Sequence, residues 1–148
     1  MIRSASRLAF VLVVVSATSG AQVPAAKTPT MKIPAGVAGK WEGNAMIGPK
    51  DSVVTTSVTT ATSSTKGWTI QFPNRPLLKA RIVAAGGDSV TVEVGPYESL
   101  LRKGQQVTTR TTSHYNGDMS SGTFEANYVS GDVVKGKFTG KRAPKKAK

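Results

Sequence analysis

The sequence contains no cysteine. That absence excludes thiol catalysis, Cys-X-X-Cys redox chemistry and cysteine-bound metals, and it leaves the chain without disulfide bonds in any compartment. Histidine occurs once, at His114, and the eight acidic residues are scattered singly, with neither zinc nor calcium-loop spacing. We therefore predict that the protein binds no metal and no cofactor.

Residues suited to catalysis are equally sparse. His114 lies on the face opposite Val107 and Tyr115 in an alternating run, with no serine or aspartate spacing beside it, so we expect a solvated surface residue. Glu93 and Glu125 are both mid-strand and could meet across strands as a carboxylate pair. We assign no catalytic residue and expect that the protein is not an enzyme.

The chain has one long apolar run, at its N-terminus. Arg3 and Arg7 precede an apolar stretch from Leu8 to Val15, and Ser19-Gly20-Ala21 provides a small-residue cleavage site. Such a run of about ten residues is well short of the roughly 20 that span a bilayer, which argues against a membrane anchor. We predict a signal peptide over residues 1–21, and an exported, soluble, periplasmic or extracellular protein with no transmembrane segment after cleavage.

The remaining chain divides by composition into three parts. Residues 22–37 contain Pro24, Pro29 and Pro34 without hydrophobic periodicity, so they are expected to form a flexible linker. Residues 38–142 form one β-domain, and Pro144 favours a disordered basic tail over residues 143–148.

Positive charge is concentrated at the C-terminus. Residues 22–136 hold 12 lysines and arginines against eight acidic residues, whereas residues 137–148 hold six basic residues and no acid. A cationic tail attracts anionic surfaces, although a merely solvated end has the same composition. Specific nucleic-acid binding is not expected, because the aromatics are needed for the core. The candidate anion contacts are Lys141, Arg142, Lys145, Lys146 and Lys148.

Short alternating runs, rich in β-branched residues and bounded by turn residues, predict an all-β fold. Asn116-Gly117 is a tight-hairpin signal, and the segment from Tyr97 to Gly104 has spacing for at most about one helical turn. The predicted strands are Gly39 to Ile47, Ser52 to Thr62, Trp68 to Phe72, Leu77 to Ala84, Ser89 to Gly95, Gln106 to Tyr115, Met119 to Val129 and Val133 to Arg142.

Eight strands with short connections indicate an antiparallel up-and-down meander. Closure into a barrel removes the two exposed edges of an open sheet, so we predict a closed barrel, with a two-sheet sandwich as the alternative. Charged and threonine side chains alternate on the outward face, which is unlike the apolar band of a membrane barrel.

The alternation assigns one face of each strand to the interior. The inward candidates are Trp41, Gly43, Ala45, Ile47, Val54, Val58, Trp68, Ile70, Phe72, Ile82, Val90, Val92, Val94, Phe124, Tyr128 and Phe138. Small residues such as Gly43, Ala45 and Gly136 leave room for a cavity, but they also suit barrel corners, so a filled core and a pocket both remain open. As barrel plug or pocket lining we select Trp41, Trp68, Phe72, Phe124, Tyr128 and Phe138.

Gly39-Lys40-Trp41, at the start of the first strand, resembles the lipocalin and avidin-like calycin barrels. The resemblance implies that Trp41 plugs the closed end of the barrel beneath a basic side chain near the last strand, Lys141 or Arg142. The C-terminal helix and the cysteines of the lipocalin pattern are missing. The segment from Gly117 to Phe124 is also similar to a hairpin of small secreted bacterial β-domains.

The calycin resemblance implies a fold that often binds small apolar ligands. We therefore expect an exported, non-enzymatic binding module that holds a small apolar ligand inside the barrel. The alternative is a cell-envelope accessory or structural protein that contacts an anionic envelope component or a protein partner through its basic tail and strand faces.

Overall fold

The computed structural model describes residues 30–146, which form eight strands and no helix. The predicted signal peptide, residues 22–29 and the last two residues, Ala147 and Lys148, lie outside the described residues. The strands are β1 Gly39–Ile47, β2 Ser52–Ala61, β3 Thr69–Gln71, β4 Leu78–Gly86, β5 Ser89–Glu98, β6 Gln106–Asn116, β7 Met119–Tyr128 and β8 Val133–Arg142.

The sheet closes on itself. Each strand pairs antiparallel with the next in sequence, and β8 pairs with β1 from Trp41 opposite Arg142 to Met46 opposite Lys137. The all-β prediction and the closed barrel are thus confirmed, and the two-sheet alternative is wrong. Closure removes the two full-length edges of an open sheet, which suits a chain without disulfide bonds. Pairing is shortest at β3, which pairs with three residues of β2 and two of β4.

The segment with weak helical spacing does not form a helix. Tyr97 and Glu98 complete β5, and the chain then turns through residues 99–105 before β6. In residues 30–146, no helix has the length and apolarity needed to cross a membrane.

The hairpin predicted at Asn116-Gly117 is present but shifted by one residue. Asn116 pairs with Met119, so the two loop residues are Gly117 and Asp118. Gly117 has φ 59°, and Asp118 is not among the residues with positive φ, which is the pattern of a type II′ turn with glycine first.

Strand β2 contains a bulge that the alternation could not show. Ala45 pairs with Thr55 and Met46 with Val53, so Val54 is the extra residue. After this extra residue, the inward and outward positions of β2 are shifted by one. Ser57 therefore points into the barrel and Val58 points outward. Val58 is 39% exposed, and its predicted inward position is therefore wrong.

The strands define two ends of the barrel. The end where β1 begins carries the loops 62–68, 87–88 and 117–118, and we call it the closed end. The opposite end carries the loops 48–51, 72–77, 99–105 and 129–132, and we call it the open end. Two of the three closed-end loops have only two residues, whereas every open-end loop has at least four.

Glycines in the wall accommodate aromatic rings. A Cβ on Gly43 would lie 2.4 Å from the Phe138 ring, and one on Gly136 would lie 2.5 Å from the Phe124 ring. The space released by these two small residues is therefore filled by neighbouring rings rather than left as a cavity.

Candidate ligand cavity

The closed end is filled by a packed apolar cluster. Trp41 and Trp68 are 2% and 1% exposed, and they pack with Ile33, Val37, Ala61, Ile82 and Val90. Each indole N–H has a backbone acceptor: Trp41 donates to Val37 O at 2.8 Å, and Trp68 donates to Ser64 O at 2.7 Å. Tyr115 meets the Trp41 ring edge-on, with the ring centroids 4.9 Å apart. These contacts leave both tryptophans at the closed end, with neither lining the cavity described below.

Part of the predicted linker belongs to this cluster. Ile33 and Val37 are buried, and the chain turns between them at Gly36, whose φ is 80°. Val37 N donates to Pro34 O at 3.4 Å across the turn. The packed domain therefore begins at Ile33, ahead of the predicted start at Ala38, and residues 33–37 form a closing segment over this end of the barrel.

Arg142 joins the closing segment to the barrel. Its guanidinium carbon lies 4.5 Å from the centre of the Trp41 ring. The side chain donates to the backbone oxygens of Ala38 and Gly36 and, at 2.8 Å, to Asp118 Oδ1. Arg142 is thus the basic residue that covers Trp41, and these internal contacts leave its guanidinium little capacity for an external anion.

A cavity lies between this cluster and the open end. Its apolar wall consists of strand residues, and Leu100 and Leu101 of the 99–105 loop contribute at the open end. All the lining residues are uncharged. The apolar strand and adjacent residues are Ala45, Val54, Ile70, Phe72, Val94, Val107, Phe124, Ala126 and Phe138, and the hydroxyl-bearing ones are Thr55, Ser57, Tyr97, Ser99, Thr109, Thr111 and Tyr128.

The cavity is small. The centre of a water-sized sphere can occupy about 70 Å³ of it. At roughly 10–15 Å³ of such space per water, this accommodates about five waters, or about 150 Å³ of liquid. The interior is therefore neither completely filled nor wide, and its size suits an organic molecule comparable to benzene or somewhat longer.

Four of the six residues selected from sequence as plug or lining meet in this cavity: Phe72, Phe124, Tyr128 and Phe138. Sequence reasoning missed Tyr97, Ser99, Leu100 and Leu101, because they follow a break in the alternation. At that break, residues Gly95 and Pro96 have no partners on β6, and pairing resumes with Tyr97 opposite Val107. Pro96 inside a strand was the available signal, since proline within a sheet marks a bulge or an edge.

The 99–105 loop is fixed over the open end by polar contacts. Ser99 Oγ accepts hydrogen bonds from Leu101 N and Arg102 N, both at 3.1 Å, and lies 2.9 Å from Tyr128 Oη. The Arg102 guanidinium lies 4.4 Å from the centre of the Tyr128 ring and pairs with Asp132 at 2.7 Å. We call residues 99–105 the rim loop.

The outer face of the barrel carries a row of alternating charges. Arg81, Glu93, Arg110, Glu125 and Lys135 are successive cross-strand partners from β4 to β8. Hydrogen bonding from Arg110 and, secondarily, from Arg81 lowers the pKa of Glu93, against the opposing effect of burial. Because Arg110 lies between Glu93 and Glu125, these two carboxylates do not form the pair considered from sequence.

His114 also lies on the outer face. Its Nδ1 is 3.1 Å from Asp88 Oδ1, and both side chains are more than half exposed. Across residues 30–146, no group of three histidine or acidic side chains is placed to hold a metal ion.

Unpaired positive charge in residues 30–146 belongs to lysines. All five arginines of this range and six of its eight acidic residues take part in ion pairs between arginine or lysine and a carboxylate, and Asp88 contacts His114. Lys40 and Lys79 lie on one outward row, connected through Thr60 and Thr69. Ala143 N donates to Lys40 O at 2.9 Å, which brings the tail beside this row. Lys141, Lys145 and Lys146 are exposed.

Comparison with known proteins found no matching family model, no similar curated protein and no similar solved structure. The closed eight-stranded antiparallel barrel is consistent with a calycin-like fold.

Proposed function

We propose that the protein is an exported binding module that holds a small, mainly apolar ligand in the cavity at the open end, without catalysing a reaction. The observation that carries this proposal is the difference in filling along the barrel. Aromatic side chains fill the closed end, whereas uncharged side chains surround open space at the other end. Cavities of this kind, apolar with a few polar groups, are the usual sites of small ligands.

The closed end supports the same proposal through the calycin resemblance. Trp41 lies beneath Arg142 at the start of β1, as that resemblance implies. A lipocalin-like or avidin-like relationship remains part of the proposal, and so does export through the signal peptide of residues 1–21.

The proposal is tested with a substitution in the cavity wall that fills the open space. Ala126 lines the cavity and is 6% exposed, while its neighbour Asn127 points outward and is exposed. We expect Ala126→Met to abolish binding of toluene, measured by NMR chemical-shift changes, because the longer side chain occupies the space. The matched control Asn127→Met should bind toluene as the unmodified protein does. Equal binding by the two variants would contradict a cavity site.

A second candidate function is attachment to an anionic envelope surface. It is supported by the exposed Lys40 and Lys141 at the closed end, by Lys79 on the same outward row as Lys40, and by the tail lysines Lys145, Lys146 and Lys148. We expect binding to vesicles containing an anionic lipid, weakening as salt rises because exposed charges are screened. Deletion of residues 143–148 should reduce it. Vesicle binding that is insensitive to salt and to the deletion would contradict attachment through these lysines.

A further inference from the structure

The direction of the hydrogen bond between the Ser99 and Tyr128 hydroxyls follows from the other contacts of Ser99. Ser99 Oγ accepts from two backbone N–H groups, Leu101 N and Arg102 N. A serine hydroxyl has two acceptor positions and one proton, so both of its acceptor positions are occupied. Its proton is then donated to Tyr128 Oη, 2.9 Å away.

Because Tyr128 accepts the hydrogen bond from Ser99, its own hydroxyl proton remains free for donation to another group. In the described part of the chain, Ser99 is the hydrogen-bond partner of the Tyr128 hydroxyl, and there the phenol is the acceptor. Tyr128 is 5% exposed and lines the cavity, as does Ser99. A buried hydroxyl that keeps a proton to donate is costly to leave without an acceptor.

We propose that Tyr128 donates this proton to an acceptor oxygen of the ligand, so that the ligand class is an uncharged organic molecule with an apolar body and a carbonyl or ether oxygen. This inference rests on the proposed binding function and specifies its ligand. The apolar body packs against Phe124, Phe138 and Ala45, and the oxygen points toward the rim loop.

Charge in the ligand is disfavoured by the lining. The cavity wall has no charged side chain, and burying an ionised carboxylate or ammonium without a partner is expensive. The adjacent cation, Arg102, covers the Tyr128 ring and pairs with Asp132, so it is already engaged. Fatty acids and amines are therefore poorer ligands than ketones, esters or ethers of the same length.

A second hydroxyl pair lies in the same wall. Tyr97 Oη and Thr109 Oγ1 are 2.7 Å apart, and each residue lines the cavity. One of the two donates to the other, and the accepting hydroxyl keeps its own proton. Among the described residues, no backbone N–H fixes which member of this pair is the acceptor, whereas two backbone N–H groups fix Ser99 as the donor to Tyr128. Tyr128 is therefore the residue that we assign to the ligand oxygen.

The experiment compares three ligands of one chain length, chosen to match the small cavity: pentane, 2-pentanone and pentanoate. Affinities are measured by NMR titration for the unmodified protein, for Tyr128→Phe and for the control Tyr115→Phe, at a tyrosine that packs at the closed end. We expect the ratio of 2-pentanone to pentane affinity to fall about threefold to tenfold in Tyr128→Phe, the range for one neutral hydrogen bond, and to stay unchanged in Tyr115→Phe. Pentanoate should bind at least about tenfold more weakly than 2-pentanone.

The outcomes separate this inference from the proposed function. If none of the three ligands binds, the proposed function fails and the inference fails with it. If pentane binds but the affinity ratio is unchanged in Tyr128→Phe, or pentanoate binds as tightly as 2-pentanone, the ligand class is wrong while the cavity function stands.

A spectroscopic measurement covers the case in which Tyr128→Phe does not fold. The carbonyl carbon of ¹³C-labelled 2-pentanone, bound to the unmodified protein, should resonate downfield of its position in an alkane solvent, because a hydrogen bond polarises the carbonyl. A resonance at the alkane position would overturn the inference.

Discussion

The two ends of the barrel are built from the same strands but stabilised in different ways. At the closed end, two tryptophans and the closing segment exclude space, and Arg142 links the segment, Trp41 and Asp118. At the open end, longer loops surround a cavity whose wall mixes apolar groups with hydroxyls. Packing at the closed end supplies stability without disulfide bonds, and this allows the open end to remain incompletely filled.

The largest effect is expected at the closed end. Trp41→Ala removes a buried ring, its hydrogen bond to Val37 and its contact with Arg142. Large-to-small changes of buried aromatics cost about 3–5 kcal/mol. We expect a loss of that size in the free energy of unfolding, measured by urea denaturation. Leu101→Ala in the rim loop, where the side chain is 43% exposed, should cost less than about 1 kcal/mol. Similar losses for Trp41→Ala and Leu101→Ala would show that the two ends contribute equally to stability.

Raising the pH should destabilise the fold through Tyr115, which is partly buried at the closed end. Burial raises the pKa of Tyr115 to about 12 from the ordinary 10.0, against a smaller opposing hydrogen bond from Ser113. The folded state then holds this proton more tightly than the unfolded state. The associated stability is complete below pH 10 and is lost as pH rises toward 12, by up to about 2–3 kcal/mol.

The measurement is urea denaturation across that pH range, with Tyr115→Phe as the variant. The variant should lose less stability than the unmodified protein between pH 10 and 12. Parallel losses in the two proteins would show that Tyr115 titrates normally. Burial also raises the pKa of Tyr97, so Tyr97→Phe tests whether the open end contributes in the same direction.

Arg142→Gln tests the link between the closing segment and the barrel. It removes the cation over Trp41 and the charged hydrogen bond to Asp118, and it disturbs the bonds to Ala38 and Gly36. We expect the free energy of unfolding to fall by about 1.5–3 kcal/mol, the contribution of one hydrogen bond to a charged group, because the glutamine amide can keep part of the backbone contacts. Amide hydrogen exchange should quicken at Val37 while remaining unchanged at Leu101. Uniform quickening at both ends would contradict a local link.

The smallest effect is expected on the outer face between the two ends. Glu93→Gln removes the charge shared by Arg81 and Arg110. Because both arginines are largely exposed, we expect a loss of less than about 1 kcal/mol at neutral pH, shrinking further in high salt. At a pH well below 4.5, the variant and the unmodified protein should converge, since protonation of Glu93 removes the same charge. A loss as large as that of Trp41→Ala would mean that the outer charges, rather than the closed end, stabilise the barrel.

Much of the barrel could be predicted because alternation and turn residues carry the information locally. The bounds of β1 and β8 match the prediction, and the alternation in β1 correctly predicted that Trp41 points into the barrel. Strand β2 was harder, because threonine, serine and valine suit either face, so nothing in the sequence marked the bulge at Val54.

The candidate site was predictable only in part, for a different reason. Phe72, Phe124, Tyr128 and Phe138 lie in or beside periodic strands, but the rim loop has no periodicity and its position depends on Ser99 bonding to a residue 29 positions away. The closing segment has the same difficulty, since Ile33 and Val37 stand alone among prolines and small residues. Tertiary contacts, rather than local preference, decide where such segments pack.

The most direct test of the central claim is a crystal structure of the protein under xenon pressure, because xenon enters apolar cavities without requiring polar contacts. We predict xenon density in the open-end cavity, between Ala45, Phe124 and Leu101, and none among the closed-end residues around Trp41 and Trp68. Xenon at the closed end, or an open end that takes up none, would contradict the account.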